Sequence, residues 1–191
     1  MDYFNFKTRI RPGKGRLLVS EPMLPDPNFE RSVILLFAHD DEGSFGFVMN
    51  KPSETPVSAV FDEMAGNDML AYAGGPVAPD TLHFIHAYPH VEGAREILPG
   101  IFWGGDPDVI RAMAASSSFD GEKFRFLLGY SGWAAGQLEE ELKENAWIVS
   151  GQADQHLLFA TDAGDMWAEA LHRLGGRFSR VANYPTDPRL N

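Results

Sequence analysis

Two apolar runs separated by an acidic turn constrain this chain most. Ser32 to His39 reads SVILLFAH, Phe45 to Met49 reads FGFVM, and Asp40-Asp41-Glu42-Gly43 stands between them. Runs this short, rich in β-branched and aromatic residues and bounded by turn formers, are strands rather than helices. The acidic turn sends the second back along the first as a β-hairpin. Because the runs are almost continuously apolar, both faces of the hairpin must be covered. Other elements of the fold therefore have to pack on each side of it.

The rest of the chain supplies such elements. Arg16 to Ser20 reads as a strand, separated from the hairpin by a loop containing Pro22, Pro25, Asp26 and Pro27. Pro56 begins a predicted short helix to about Met64, with Thr55 as its N-cap. Gly74-Gly75-Pro76 forms a tight loop, and Thr81 to Tyr88 and Arg95 to Trp103 are extended segments. Asp106 caps a helix with Pro107 at its first position, reaching about Ser116, and a last helix runs from about Asp165 to Leu174, stopped by Gly175-Gly176. Strands arriving in hairpins between modest helices imply an α/β (α+β) fold: a mixed, largely antiparallel sheet with helices packed on its faces. The 191 residues are expected to form a single domain, with residues 1–14 as a flexible basic arm.

Phe124 to Leu142, FRFLLGYSGWAAGQLEEEL, carries the candidate site. Phe124, Phe126 and Leu128 alternate as a strand, which Tyr130 to Gly132 are expected to break before a helix begins near Ala134. In that helix Ala134, Leu138 and Leu142 form an apolar stripe, Gln137 and Glu141 share one flank, and Glu139 and Lys143 are spaced for a weak ion pair. A glycine-rich corner beside a helix start, an amphipathic Trp133 and two polar side chains make a plausible binding surface. The candidate binding residues are Ser131, Trp133, Gln137 and Glu141, with Asn50, at the end of the hairpin, as a neighbour.

Gly129 to Trp133, Gly136 to Glu139 and Glu141 also resemble a block of the AlgH/YqgE family of bacterial proteins, whose pattern is GY(A/S)GW followed by GQLE and a second acidic residue. The resemblance extends through residues 15 to 52, Gly74 to Val77, and the Pro-x-Asp-Pro-x-Leu-Asn close of residues 185 to 191. It implies the same kind of α/β fold and, from the family's link to regulation of alginate synthesis, a role in transcription. No catalytic residue comes with it. The pattern accepts alanine at the position of Ser131, which a nucleophile could not be.

Residue chemistry narrows the remaining choices. Sixteen Lys and Arg against 27 Asp and Glu give a net charge of −11, which repels a polyanion and argues against direct nucleic-acid binding. A nucleic-acid-associated regulator would have to use the basic residues Lys7, Arg9, Arg11, Lys14 and Arg16 or a partner protein. Cysteine is absent, which removes disulfides and thiolate chemistry and suits a cytoplasmic location. No apolar run approaches membrane-spanning length. A serine hydrolase reading places Ser131 at a strand-to-helix elbow, but Trp133 stands where that motif needs glycine. His83, His86 and His90 lack metal-ligand alignment, since strand residues three apart point to opposite faces. Asp40 to Glu42 lack the ligand spacing of a calcium loop, and Gly74-Gly75-Pro76-Val77 lacks that of a phosphate loop. The sequence therefore names no catalytic residue, no metal and no cofactor. It points to a binding or regulatory protein whose partner is an unidentified protein or small molecule, of unassigned oligomeric state, with a Ser131 hydrolase as the alternative.

Overall fold

The computed structural model describes residues 7–64 and 69–185. All but the first residue of the resemblance block at residues 185–191, and the first six residues of the expected arm, lie outside the described residues.

Ten strands of the described residues form one curled sheet: β1 (Arg16–Ser20), β2 (Val33–Asp40), β3 (Gly43–Val48), β4 (Pro52–Pro56), β5 (Leu70–Ala73), β6 (Val77–His86), β7 (Ala94–Leu98), β8 (Ile101–Gly104), β9 (Phe124–Ala134) and β10 (Trp147–Gln152). Its main path is β10-β1-β2-β3-β9-β6-β8-β7, and β4 joins through β5. All pairings are antiparallel except β5 with β9. Among the described residues four α-helices accompany it: α1 (Pro107–Ala114), α2 (Gln137–Lys143), α3 (Ala163–Leu174) and α4 (Arg177–Val181). Among the described residues no helix is long and apolar enough to cross a membrane. The fold is the mixed, largely antiparallel α+β arrangement expected.

Period-two alternation explains why the hairpin strands read as unbroken apolar runs. Leu35, Phe37 and Phe47 enter one core with Trp167 and Leu171 of α3 and Phe178 of α4, while Ile34, Leu36 and Val48 enter another with Leu138 of α2. A third cluster lies under α1, built from Phe61, Phe84, Phe124 and Phe126. The turn closes in two residues, with Asp40 paired to Gly43 and the Asp40 carboxylate accepting the Glu42 amide at 2.9 Å.

The long strand β9 organises the sheet. One edge pairs with β6 over most of its length, while β5 takes the first half of the other edge and β3 the second. Gly74 sits where β3 and β5 meet: its amide donates to Leu128, and its carbonyl accepts from the Val48 amide at 2.8 Å and the Ser131 hydroxyl at 3.2 Å. Backbones approach so closely here that a Cβ on Gly75 would lie 2.2 Å from the carbonyl carbon of Tyr130, at a φ of +152°.

Several local expectations are corrected. The chain does not break at Tyr130 to Gly132, because β3 pairs with Ser131 to Ala134 and keeps β9 extended; Gly129 absorbs the bend at φ +66°. The helix after it starts at Gln137 rather than near Ala134, preceded by Gly136 in a left-handed conformation. Lys143 pairs with Glu140, not Glu139. The helix predicted from Pro56 is replaced by β4 and two turns of 3-10 helix, and Thr55 caps nothing, because Pro56 pairs with Leu70 and the Val57 amide donates to Met69. Apart from these corrections, within residues 7–14 the Thr8 hydroxyl donates to Val149 at 2.9 Å and Ile10 packs on the core under α2. The helix predicted to be last, α3, is followed by α4.

Candidate functional site

The five candidate residues do not form one surface. Trp133 stands opposite Ser44 at the turn end of β3, whereas Asn50 lies beyond the other end of that strand. Asn50 is 8% exposed and fastens the chain to itself: its carbonyl oxygen accepts the Val33 amide and its amide donates to the Arg31 carbonyl, both at 2.8 Å. Ser131 is fully buried and donates to Gly74. Both side chains hydrogen-bond the protein's own backbone.

Trp133, Gln137 and Glu141 do come together, around a carboxylate. Glu141 Oε2 accepts the indole N–H of Trp133 at 2.8 Å and of Trp147 at 2.6 Å, and Oε1 accepts from the Gln137 amide at 2.9 Å. Gln137 Oε1 accepts the Ala134 amide at 3.0 Å, closing the corner. The two indoles meet edge to face, their centroids 5.9 Å apart. Strand β9, strand β10 and helix α2 are thereby tied at one point, and the polar groups that suggested a binding surface are engaged internally.

Close by is a trio that sequence inspection missed. His39 Nδ1 lies 2.8 Å from the Ser44 hydroxyl, and His39 Nε2 lies 3.6 Å from Glu139 Oε1. The acidic turn hid this pairing, since His39 and Ser44 face each other only once the hairpin closes. The order hydroxyl, imidazole, carboxylate is that of an activated serine, but Ser44 is nearly buried on the face covered by α2. Among the described residues no cluster of His, Asp and Glu is arranged to hold a metal ion. His83 and His86 point to opposite faces of β6, His83 towards Phe47 and His86 between Phe102 and Phe124.

A different region has the features of a ligand site. A cleft of about 650 Å³ opens between β5, the turn leading into β9 and the start of α3. Tyr72 comes from β5, Arg125 from β9, and Phe159 and Thr161 from the turn before α3. The Arg125 guanidinium stands 5.2 Å from the centroid of the Tyr72 ring and 5.6 Å from that of Phe159. It donates to the carbonyls of Phe124 at 3.0 Å and Phe159 at 2.9 Å. Its buried Nε has no partner, and among the described residues no carboxylate is within ion-pair distance. Desolvation lowers its pKa, partly offset by Tyr72 and Glu122, but an arginine stays charged near neutrality. A largely buried cation without a counter-ion is costly, and such groups recur where a ligand completes them. In the sequence Arg125 was merely the polar alternate of a strand.

Comparison with known proteins places the chain in a family. The AlgH-like (DUF179) family model matches residues 17–179. A UPF0301 protein of Chlorobaculum tepidum is 39% identical over 183 residues, covering 95% of this chain and 96% of that protein. One from Bacteroides thetaiotaomicron is 38% identical over 192 residues, covering 100% and 97%. The solution structure of the AlgH protein from Pseudomonas aeruginosa superposes with a TM-score of 0.71 at 30% identity, covering 93% of this chain and 98% of that one. A crystal structure of a Corynebacterium diphtheriae protein shares the fold, with a TM-score of 0.76 at 23% identity over 95% of this chain and 97% of that one. With its sheet, its corner motif and these relatives, the chain belongs to the AlgH-like family.

Proposed function

We propose that the protein binds a small ligand in the cleft beside Arg125 and acts as a binding or regulatory protein of the cytoplasm. The observation that carries this reading is the Arg125 guanidinium, without a carboxylate in ion-pair distance among the described residues, on the wall of a cleft of about 650 Å³ and flanked by two aromatic rings. Regulation of transcription, if exerted, passes through a partner, because the net charge of −11 opposes direct contact with a polyanion. The corner of Ser131, Trp133, Gln137 and Glu141 then serves as scaffold for the sheet that carries the cleft.

The test is a thermal-shift screen of small metabolites on the wild type and on Leu70→Trp, which places a bulky ring in the cleft from an exposed position. A compound present at a hundred times its Kd stabilises by about 2.7 kcal/mol, or about 5–10 °C for a chain of this size. Compounds that shift the wild type and not Leu70→Trp support the reading. Equal shifts in both proteins refute it.

A further inference from the structure

We infer that the cleft is a carboxylate site: it takes a small monoanionic carboxylate with an apolar body, held by Arg125. This rests on the reading of the cleft as a ligand site and names the ligand's chemistry. Three observations carry it. The guanidinium spends two donors on backbone carbonyls and leaves its charge without a counter-ion, so a bound anion would remove the cost of burying it. Tyr72 and Phe159 flank the guanidinium, and Pro52, Leu70 and Ala160 add apolar wall, which suits a hydrocarbon or aromatic ligand body. The rim also carries Glu122 and Asp162, the latter at the N-cap of α3 without a side-chain capping bond. These two carboxylates offset the field of the single cation on the wall, so the cleft has no surplus positive charge with which to neutralise a dianion. Planar carboxylate oxygens also suit the planar guanidinium fork.

The experiment is a nuclear magnetic resonance titration of the full chain, following the Arg125 Nε–Hε signal and the backbone amides of Tyr72, Thr161 and Ala163. The probes are acetate, hexanoate and benzoate, with benzamide as the uncharged analogue of benzoate and inorganic phosphate as the alternative anion. Hexanoate and benzoate are expected to move these signals saturably and acetate more weakly, with no response to benzamide. Arg125→Met should weaken benzoate binding by about 10- to 100-fold, the range for hydrogen bonds to a charged group. Leu70→Trp should weaken it comparably while Arg125 is intact, and it decides the matter if Arg125→Met does not fold. Equal responses to benzamide and benzoate would overturn the carboxylate assignment and leave a binding cleft. Phosphate saturating below the carboxylates would make this a phosphate site. Silence from every probe would overturn both readings.

Discussion

Replacing Glu141 with alanine discriminates between a scaffold and an exposed recognition surface at the corner. The substitution deletes the acceptor of two indole N–H groups, both on tryptophans that are at least nine-tenths buried. A buried donor left without a partner costs about 1–3 kcal/mol. Glu141 itself is partly exposed, so water can reach some of the vacated space, and effects in one network do not add. The expected loss is therefore about 2–4 kcal/mol. At about 2.1 cal/mol/K per residue, 191 residues unfold with about 0.4 kcal/mol/K, which converts that loss into a melting temperature lower by about 5–10 °C. Glu141→Gln keeps one oxygen that both indoles can share and should lose only about 1 kcal/mol. Gln137→Ala, which removes exposed bonds, should cost less than Glu141→Ala. Differential scanning calorimetry and urea unfolding measure all three. A Glu141→Ala protein that melts within about 2 °C of the wild type would refute the scaffold argument and return the corner to the list of recognition surfaces.

Three further outcomes follow from the geometry. His86 is buried between two stacked rings, donates from Nε2 to Gly104 and accepts the Tyr88 amide at Nδ1, and desolvation lowers its pKa; desolvation lowers that of His83 as well. The unfolded chain then binds the proton more readily, so their contribution to stability is complete above the unfolded value of about 6.5 and declines as pH falls below it, with a slope of up to about 1.4 kcal/mol per pH unit for each histidine; urea midpoints at pH 7.5 and pH 5.5 measure this, and a midpoint that rises on acidification contradicts it. Gly75→Ala should abolish soluble folded protein, since its Cβ would lie 2.2 Å from a backbone carbon, and circular dichroism of the purified variant reads this directly. A serine-reactive phosphonate should label neither Ser131 nor Ser44, both buried, and stoichiometric labelling of Ser44 lost in His39→Ala would revive a hydrolase reading.

Local chemistry was legible where neighbours in sequence decide it. The hairpin at Asp40 to Gly43, the Asp106 cap with Pro107 behind it, and the glycine stop at Gly175 all follow from turn and capping preferences within a few residues. The errors occur where a distant strand overrules a local preference. Pro56 after Thr55 looks like a helix start, yet β5 holds Pro52 to Pro56 extended. Glycines at 129 and 132 look like a break, yet β3 pairs with Gly132 and keeps it extended, and the Gly75 backbone passes close against Gly129. The corner was recognised as a unit because its residues are adjacent, but the bond from Trp147 to Glu141 was not legible, since Trp147 arrives on a separate strand. Arg125 carried no signal at all. Its cleft exists only after Tyr72 and Phe159 arrive from segments more than thirty residues away on either side.

The place of β9 in the sheet also governs the order in which a growing chain can complete itself. When residue 123 leaves the ribosome, β3, β5 and β6 are all outside it, but the strand that each of them borders has not yet emerged. The outer edge of β1 waits longer still, for residues 147–152. At synthesis rates of about 5–20 residues per second, these edges stay open for seconds, long compared with the microseconds in which a hairpin such as β2–β3 forms. Open apolar edges of that kind recruit other chains. Truncations ending before Phe124 should accordingly aggregate rather than persist as stable fragments, and crowded translation of this protein should depend on whatever shields those edges until β9 is delivered.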